Sequence, residues 1–250
     1  MNPTVMQLTA RSLLGRRRAL LLLALPIVLL GLCALARVLA GFDDGLAETI
    51  DSGFATNLLG SFGIGVVMPL LGLIAGTGSI GPEIDEGSIV YLLAKPLNRY
   101  QIVVSKLVVA IGVLVVFGVL PVAVAGLVLT GSLGGITAAY ALGALVAGVA
   151  YAALFLLLAV LTRNAVVIGL VYALVWESLL GGLAPGAQTL SVQQWALAVV
   201  ERVLGDDAVL LGVESAVSLA TGVVLLLVVA LGCTAYAGRR LQSLRLTGEV

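Results

Sequence analysis

The sequence predicts an all-α integral membrane protein of six transmembrane helices, with both termini cytoplasmic and a short interfacial helix at the N-terminus. Three observations predict it. Hydrophobic residues make up 61% of the 250 and charged residues only 10%, against about a quarter charged in an ordinary soluble domain; the mean hydropathy is +1.20. Apolar runs lie at about 19–40, 57–80, 107–130, 136–161, 164–182 and 212–236, most of them near the ~20 residues that cross the hydrocarbon core of a bilayer. The fifth is the shortest. Finally, with the N-terminus inside, Arg11, Arg16, Arg17, Arg18, Lys95, Arg99, Lys106, Arg163, Arg239, Arg240 and Arg245 are cytoplasmic, eleven of the thirteen basic residues. Only Arg37 and Arg202 fall outside, so the positive-inside rule requires an even number of spans.

Residues 2–15 mix apolar and polar positions at loosely helical spacing after Asn2-Pro3, which suits a helix lying in the cytoplasmic interface or a frayed tail. Arg16-Arg17-Arg18 before an apolar run, and Ala34-Leu35-Ala36 within it, resemble a signal peptide. The run over 19–40 exceeds the 7–15 residues of a secretory segment, so it reads as an uncleaved first span. An acidic outer loop, 41–56, follows. Pro26, Pro69 and Pro121 sit inside spans, where neighbouring groups can satisfy the carbonyls they free. Between the last two spans, Val192, Trp195, Ala196, Val199 and Val203 share a helical face opposite Gln194, Glu201 and Arg202. The segment 183–211 is therefore predicted to lie in the outer interface, with Trp195 near the headgroups. Gly72 and Gly76, then Ala139, Gly143 and Ala147, then Gly212, Ala216 and Ala220 repeat small residues every four positions, a spacing that permits close helix approach. No internal repeat or linker divides the chain, so residues 1–250 read as one transmembrane domain.

Several chemistries are excluded or disfavoured. Histidine is absent, which removes the commonest general base and metal ligand. Cys33 and Cys233 lie in apolar runs, where a free thiol behaves as a small hydrophobe. There is no phosphate-binding loop, and a net charge of zero gives no case for nucleic acid. No catalytic or metal-binding set emerges. Arg37 and Glu177 are ionisable groups near the outer ends of spans, expected to pair with each other, pair with polar groups of the bundle, or contact substrate.

Residues 81–106 form a twenty-six-residue polar interval, far longer than a turn needs, carrying three acids and three bases. Pro82 suits a first helical position, with Glu83, Asp85 and Glu86 in the first turn, where the helix dipole favours negative charge. Gly87 permits a bend. Lys95-Pro96 ends the element, and Asn98 is placed to cap a new helix through Arg99 and Lys106. A solvated loop obeying the positive-inside rule accounts for Lys95, Arg99 and Lys106, but not for the acids, which orientation does not require.

The order Glu83-x-Asp85-x-Gly87-Ser88, an apolar run, Lys95-Pro96-Leu97-Asn98-Arg99, and Lys106 opening the next span resembles the cytoplasmic loop of ABC-2-type permeases, the membrane subunits of ABC transporters. The family often has Glu at position 85 and Thr at 88, both mild departures. The resemblance covers nearly the whole chain. It implies a permease, commonly an exporter, in which Glu83, Asp85, Glu86, Gly87 and Ser88 form the coupling element that docks on a separate ATPase subunit. Lys95, Pro96, Arg99 and Lys106 would support that loop. It also implies a second permease copy or paralogue, with ATP and Mg on the partner ATPase and no cofactor on this chain. Apolar spans suit a hydrophobic or amphipathic cargo, and the Ala/Leu/Val/Gly bias suits the plasma (inner) membrane of a prokaryote. Two other readings stay open: an intramembrane lipid-modifying enzyme using Glu83, Asp85 and Glu86 on Mg²⁺, and a non-transport assembly or anchor protein.

Overall fold

A computed structural model describes residues 3–41, 52–85, 99–180 and 185–243. Every regular element among them is helical. Helix α1 is Pro3–Leu13 and α2 is Arg16–Ala40. Helix α3 is one continuous rod over 52–85, made of Ser52–Asn57, a wide-turned π-helical stretch Leu58–Val67, and Met68–Asp85. Helix α4, Arg99–Thr130, has a shorter wide-turned stretch at Val115–Val119. Helix α5 is Ile136–Leu161. Helix α6 joins Ala165–Val171 to the wide-turned Tyr172–Leu180. Helix α7 is Val192–Leu204 and α8 is Leu219–Ser243.

Five of these helices are long and apolar enough to cross a membrane: α2, α3, α4, α5 and α8. The predicted span at 164–182 appears as α6, whose seven and nine residues fall short of the ~20 that a straight crossing takes. The last span is displaced from the predicted 212–236 to Leu219–Ser243. Gly212 sits in a turn with φ +65, and the Ser218 hydroxyl accepts from the Thr221 amide at 3.3 Å, so the helix starts there rather than at the first apolar residue.

The core is organised on α5, because its small residues let other helices approach. Ala139, Gly143, Ala144, Ala147, Gly148 and Ala152 are buried on it, and it packs against α3, α4, α7 and α8. A Cβ on Gly72 of α3 would stand 2.6 Å from Cβ of Tyr151, and one on Gly76 would stand 2.8 Å from Cβ of Phe155. Two of the three small-residue sets are thus packing surfaces. The third is not: Gly212 is in a turn, and Ala216 and Ala220 are exposed. The α4–α5 hairpin closes on Gly131, whose φ of +69 ends α4, with Thr137 Oγ1 donating to the Ser132 carbonyl at 2.8 Å. Helices α2 and α8 leave many large apolar side chains exposed, among them Leu20, Ile27, Leu35, Val224, Val228 and Leu231, as lipid-facing surfaces require.

The two ends of the bundle differ. Helix α1, the last turns of α3, the first turns of α4 and the end of α8 meet at one end, through contacts of Lys106 and Arg99. Both termini of the described chain therefore lie at the same end. At the opposite end, Thr56 of α3 donates to the Leu211 carbonyl and Gln193 of α7 to the Gly60 carbonyl.

Candidate functional site

The predicted loop is entered from α3 and left through α4, and the structure describes both ends. Helix α3 runs through Pro82 to Asp85 rather than ending near residue 80. Pro82 is therefore interior to a helix, and Glu83 is not in the first turn of a new one, which corrects the sequence reading. Proline removes one backbone bond of its own helix, the one to the Gly78 carbonyl. The next carbonyl along, that of Ser79, is met by Lys106 of α4. Its Nζ donates to the Ser79 carbonyl at 2.7 Å and to Glu83 Oε1 at 2.6 Å, with Thr9 Oγ1 of α1 at 3.4 Å.

The Lys106 side chain is 0% exposed and that of Glu83 27%. A buried ammonium demands a charged partner and saturated donors, and two other helices provide them: α1 and α3. This is the one ion pair among the described residues. Glu83, assigned by resemblance to a docking element, is thus turned toward its own bundle. Lys106, assigned to loop support, is part of the core beside Ser105, Ile102 and Val103, all buried.

Arg99 anchors the other side. Its guanidinium donates to the carbonyls of Leu241 at 2.7 Å and Gln242 at 3.0 Å, in the last turn of α8. The final carbonyls of a helix lack internal partners and carry the negative end of its dipole, so one cation satisfies both needs. Tyr100 follows and packs its ring against Gly238, where any side chain would collide with it. Asp85 is the last residue of α3. Glu86, Gly87, Ser88, Lys95, Pro96 and Asn98 lie outside the described residues.

At the opposite end Glu177 is 1% exposed on the wide-turned part of α6. Oε1 accepts from the Val192 amide at 2.9 Å and the Tyr172 hydroxyl at 3.0 Å, and Oε2 accepts from Ser191 Oγ at 2.5 Å. Ser191 is also the N-cap of α7, accepting from the Gln194 amide. A carboxylate from one helix therefore caps the start of another, where free amides and the helix dipole favour it. The pairing of Glu177 with Arg37 is not formed among the described residues: Arg37 is exposed on α2, and neutral donors fill the carboxylate. Of the sequence expectations for Glu177, polar partners within the bundle are the ones present.

Helix α7 is not the peripheral helix that its periodicity suggested. Trp195, Ala196, Val199 and Val200 are buried, and the helix packs on α5 and α8. The Trp195 indole donates to the Thr189 carbonyl at 2.8 Å. Its polar face is also engaged: Gln193 reaches Gly60, Gln194 accepts from the Ala216 amide, and Glu201 accepts from the Ser215 amide and hydroxyl. Sequence reasoning missed these contacts and the burial of Lys106. The available signal was a lysine followed by Leu107, Val108, Val109 and Ala110, with no polar break.

Among the described residues no group of three or more Cys, Asp or Glu is placed to hold a metal. The two stalks of the loop are tied to α1 and to α8. A comparison with curated proteins gave no match. Residues 13–240 match the family model described as ABC-2 family transporter protein, and on that match, which spans most of the chain, the protein belongs to this family of membrane-spanning transport components.

Proposed function

We propose that the chain is the permease subunit of an ATP-driven exporter of a hydrophobic or amphipathic substrate, working as a dimer with two separate ATPase subunits. It sits in the plasma membrane of a prokaryote with the loop end cytoplasmic, and α6 completes six passes. ATP and Mg bind the ATPase, which docks on residues 85–88. The observation that carries this reading is the double anchoring of the loop. The Glu83–Lys106 pair ties its first stalk to α1 and α4, and Arg99 ties its second to α8. A push on a loop with slack ends would be absorbed locally, whereas a push on these ends is delivered to four helices.

In this reading Glu83 belongs to the clamp, and docking falls to Asp85, Glu86, Gly87 and Ser88, with Lys95 and Pro96 in support. The test is affinity purification of the tagged permease in mild detergent, followed by ATPase assay of the eluate. A soluble ATPase should co-purify, and Asp85→Ala/Glu86→Ala should release it while the permease keeps its melting temperature. Recovery of the permease alone and inert, or an ATPase retained unchanged by the double variant, overturns the proposal.

A further inference from the structure

At the end of the bundle opposite the loop, a cavity of about 720 Å³ opens between the wide-turned stretch of α3, Glu177 of α6 and the first turn of α7. Its size falls within the ~300–1,000 Å³ of small-ligand sites. Two of the three wide-turned stretches line it, and such turns gather at functional sites more often than in plain helices. Its shape is held by backbone anchors: Gln193 of α7 donates to the Gly60 carbonyl, and Gly65 gives that amide room, since a Cβ there would lie 2.7 Å from Gln193 Nε2.

The lining has a single sign. Glu177 and Glu214 contribute carboxylates, and among the described residues no lysine or arginine lines the space. Glu177 is saturated by three donors and acts as a fixed charge in the wall, while Glu214 is exposed. Asn57, Ser61 and Gln188 add amide and hydroxyl groups that accept hydrogen bonds. A cavity lined by one sign of charge concentrates ligands of the opposite sign. A metal ion would need a cluster of hard ligands that the described residues do not form, and a quaternary ammonium would need several aromatic faces, where the described lining has Tyr140 alone. We propose that this cavity binds a small organic cation bearing a primary ammonium, which has both the charge and the donors the lining calls for.

The test uses the purified full chain in phosphatidylcholine nanodiscs, without ATPase, so its outcome is independent of the transport reading. Calorimetric titration with 1,5-diaminopentane is compared with glutarate and 1,5-pentanediol, an anion and a neutral diol of the same length. The diamine should bind at least about tenfold more tightly than either, a difference of roughly 1.4 kcal/mol. Ser61 is exposed at the cavity, so Ser61→Trp should fill it and lower diamine affinity by about tenfold or more. Glu214→Gln, a change at an exposed position that leaves the packing alone, should lower it by about threefold, and the melting temperature checks that both variants are folded. Equal affinities for the three probes, no binding at millimolar diamine, or binding unchanged in Glu214→Gln and Ser61→Trp would overturn the assignment.

Discussion

The Lys106–Glu83 pair permits a prediction with an internal sign. Lys106 is 0% exposed, whereas Glu83 is 27% exposed and keeps access to water, so the two single substitutions are not equivalent. Glu83→Gln leaves an ammonium buried against the Ser79 carbonyl and the Thr9 hydroxyl, with no carboxylate among its described partners to balance it. Breaking a buried pair in this way costs about 3 kcal/mol. Lys106→Met leaves a carboxylate that can turn toward solvent and replaces the lysine stem with an apolar chain of similar length, so the cost is about 1–2 kcal/mol. The double variant removes both charges and should return to within about 1 kcal/mol of the parent, because an apolar replacement of a buried pair is often neutral. The cycle then gives a coupling of about 3–5 kcal/mol. Equilibrium unfolding in mixed micelles, followed by the fluorescence of Trp176 and Trp195, reads all four proteins. Lys106→Met being as damaging as Glu83→Gln, or the two costs simply adding, would refute the reasoning that the lysine is the stranded charge.

Two further perturbations probe the rest of the bundle. Glu177→Gln keeps one acceptor but sets an amide N–H₂ against either the Ser191 hydroxyl or the Val192 and Tyr172 donors, so stability should fall by about 1–3 kcal/mol, while Arg37→Ala should stay within about 0.5 kcal/mol of the parent. Equal losses in the two variants would restore the ion pair that the sequence suggested. Gly76→Ala pushes a Cβ to 3.0 Å from the Leu156 amide nitrogen and 3.1 Å from the Ala152 carbonyl oxygen, backbone atoms that cannot step aside, and should cost about 1–3 kcal/mol. Gly112→Ala, with nothing within 4 Å of the new Cβ, should be neutral or gain up to about 1 kcal/mol from helix propensity. Thermal unfolding of both glycine variants separates packing from propensity.

The sequence displays whatever hydrophobic contrast writes into it. The spans over 19–40 and 136–161 stand out because charged or turn-forming residues precede them: Arg16-Arg17-Arg18 before the first, Gly134-Gly135 before the second. The end of α3 was misplaced because Pro82 reads as a helix start in water, where its missing amide goes unused at a first turn. In the structure Pro82 lies inside the helix, which continues to Asp85 and is held on Ser79 and Glu83 by Lys106. That lysine lies twenty-four positions away, beyond the reach of any local rule. Helix α7 was misread for a related reason. Its periodicity separates two faces correctly, but a polar face can seek water or the backbone groups of other segments, and Gln193, Gln194 and Glu201 take the second course. The wide turns of α3 and α6 leave no trace at all, since a run that is apolar on every side carries no phase to break.

Helix α3 contributes to both ends of the molecule, and this gives the two sites a physical relation. Glu83 and the Ser79 carbonyl lie near one end of it, and Gly60, Ser61 and Gly65 line the cavity near the other. Their separation of about twenty residues amounts to roughly 30 Å at 1.5 Å per residue, the thickness of the hydrocarbon core. Between them Gly72 and Gly76 hold the rod against Tyr151 and Phe155 with no room for a side chain, so sideways adjustment there is blocked by close packing. The wide-turned stretch begins beyond this contact, at Val67 and outward, and the cavity lies along it. Displacement of the clamp would pass through the packed segment as motion of a rigid rod and be taken up where the turns are widest, at the cavity wall.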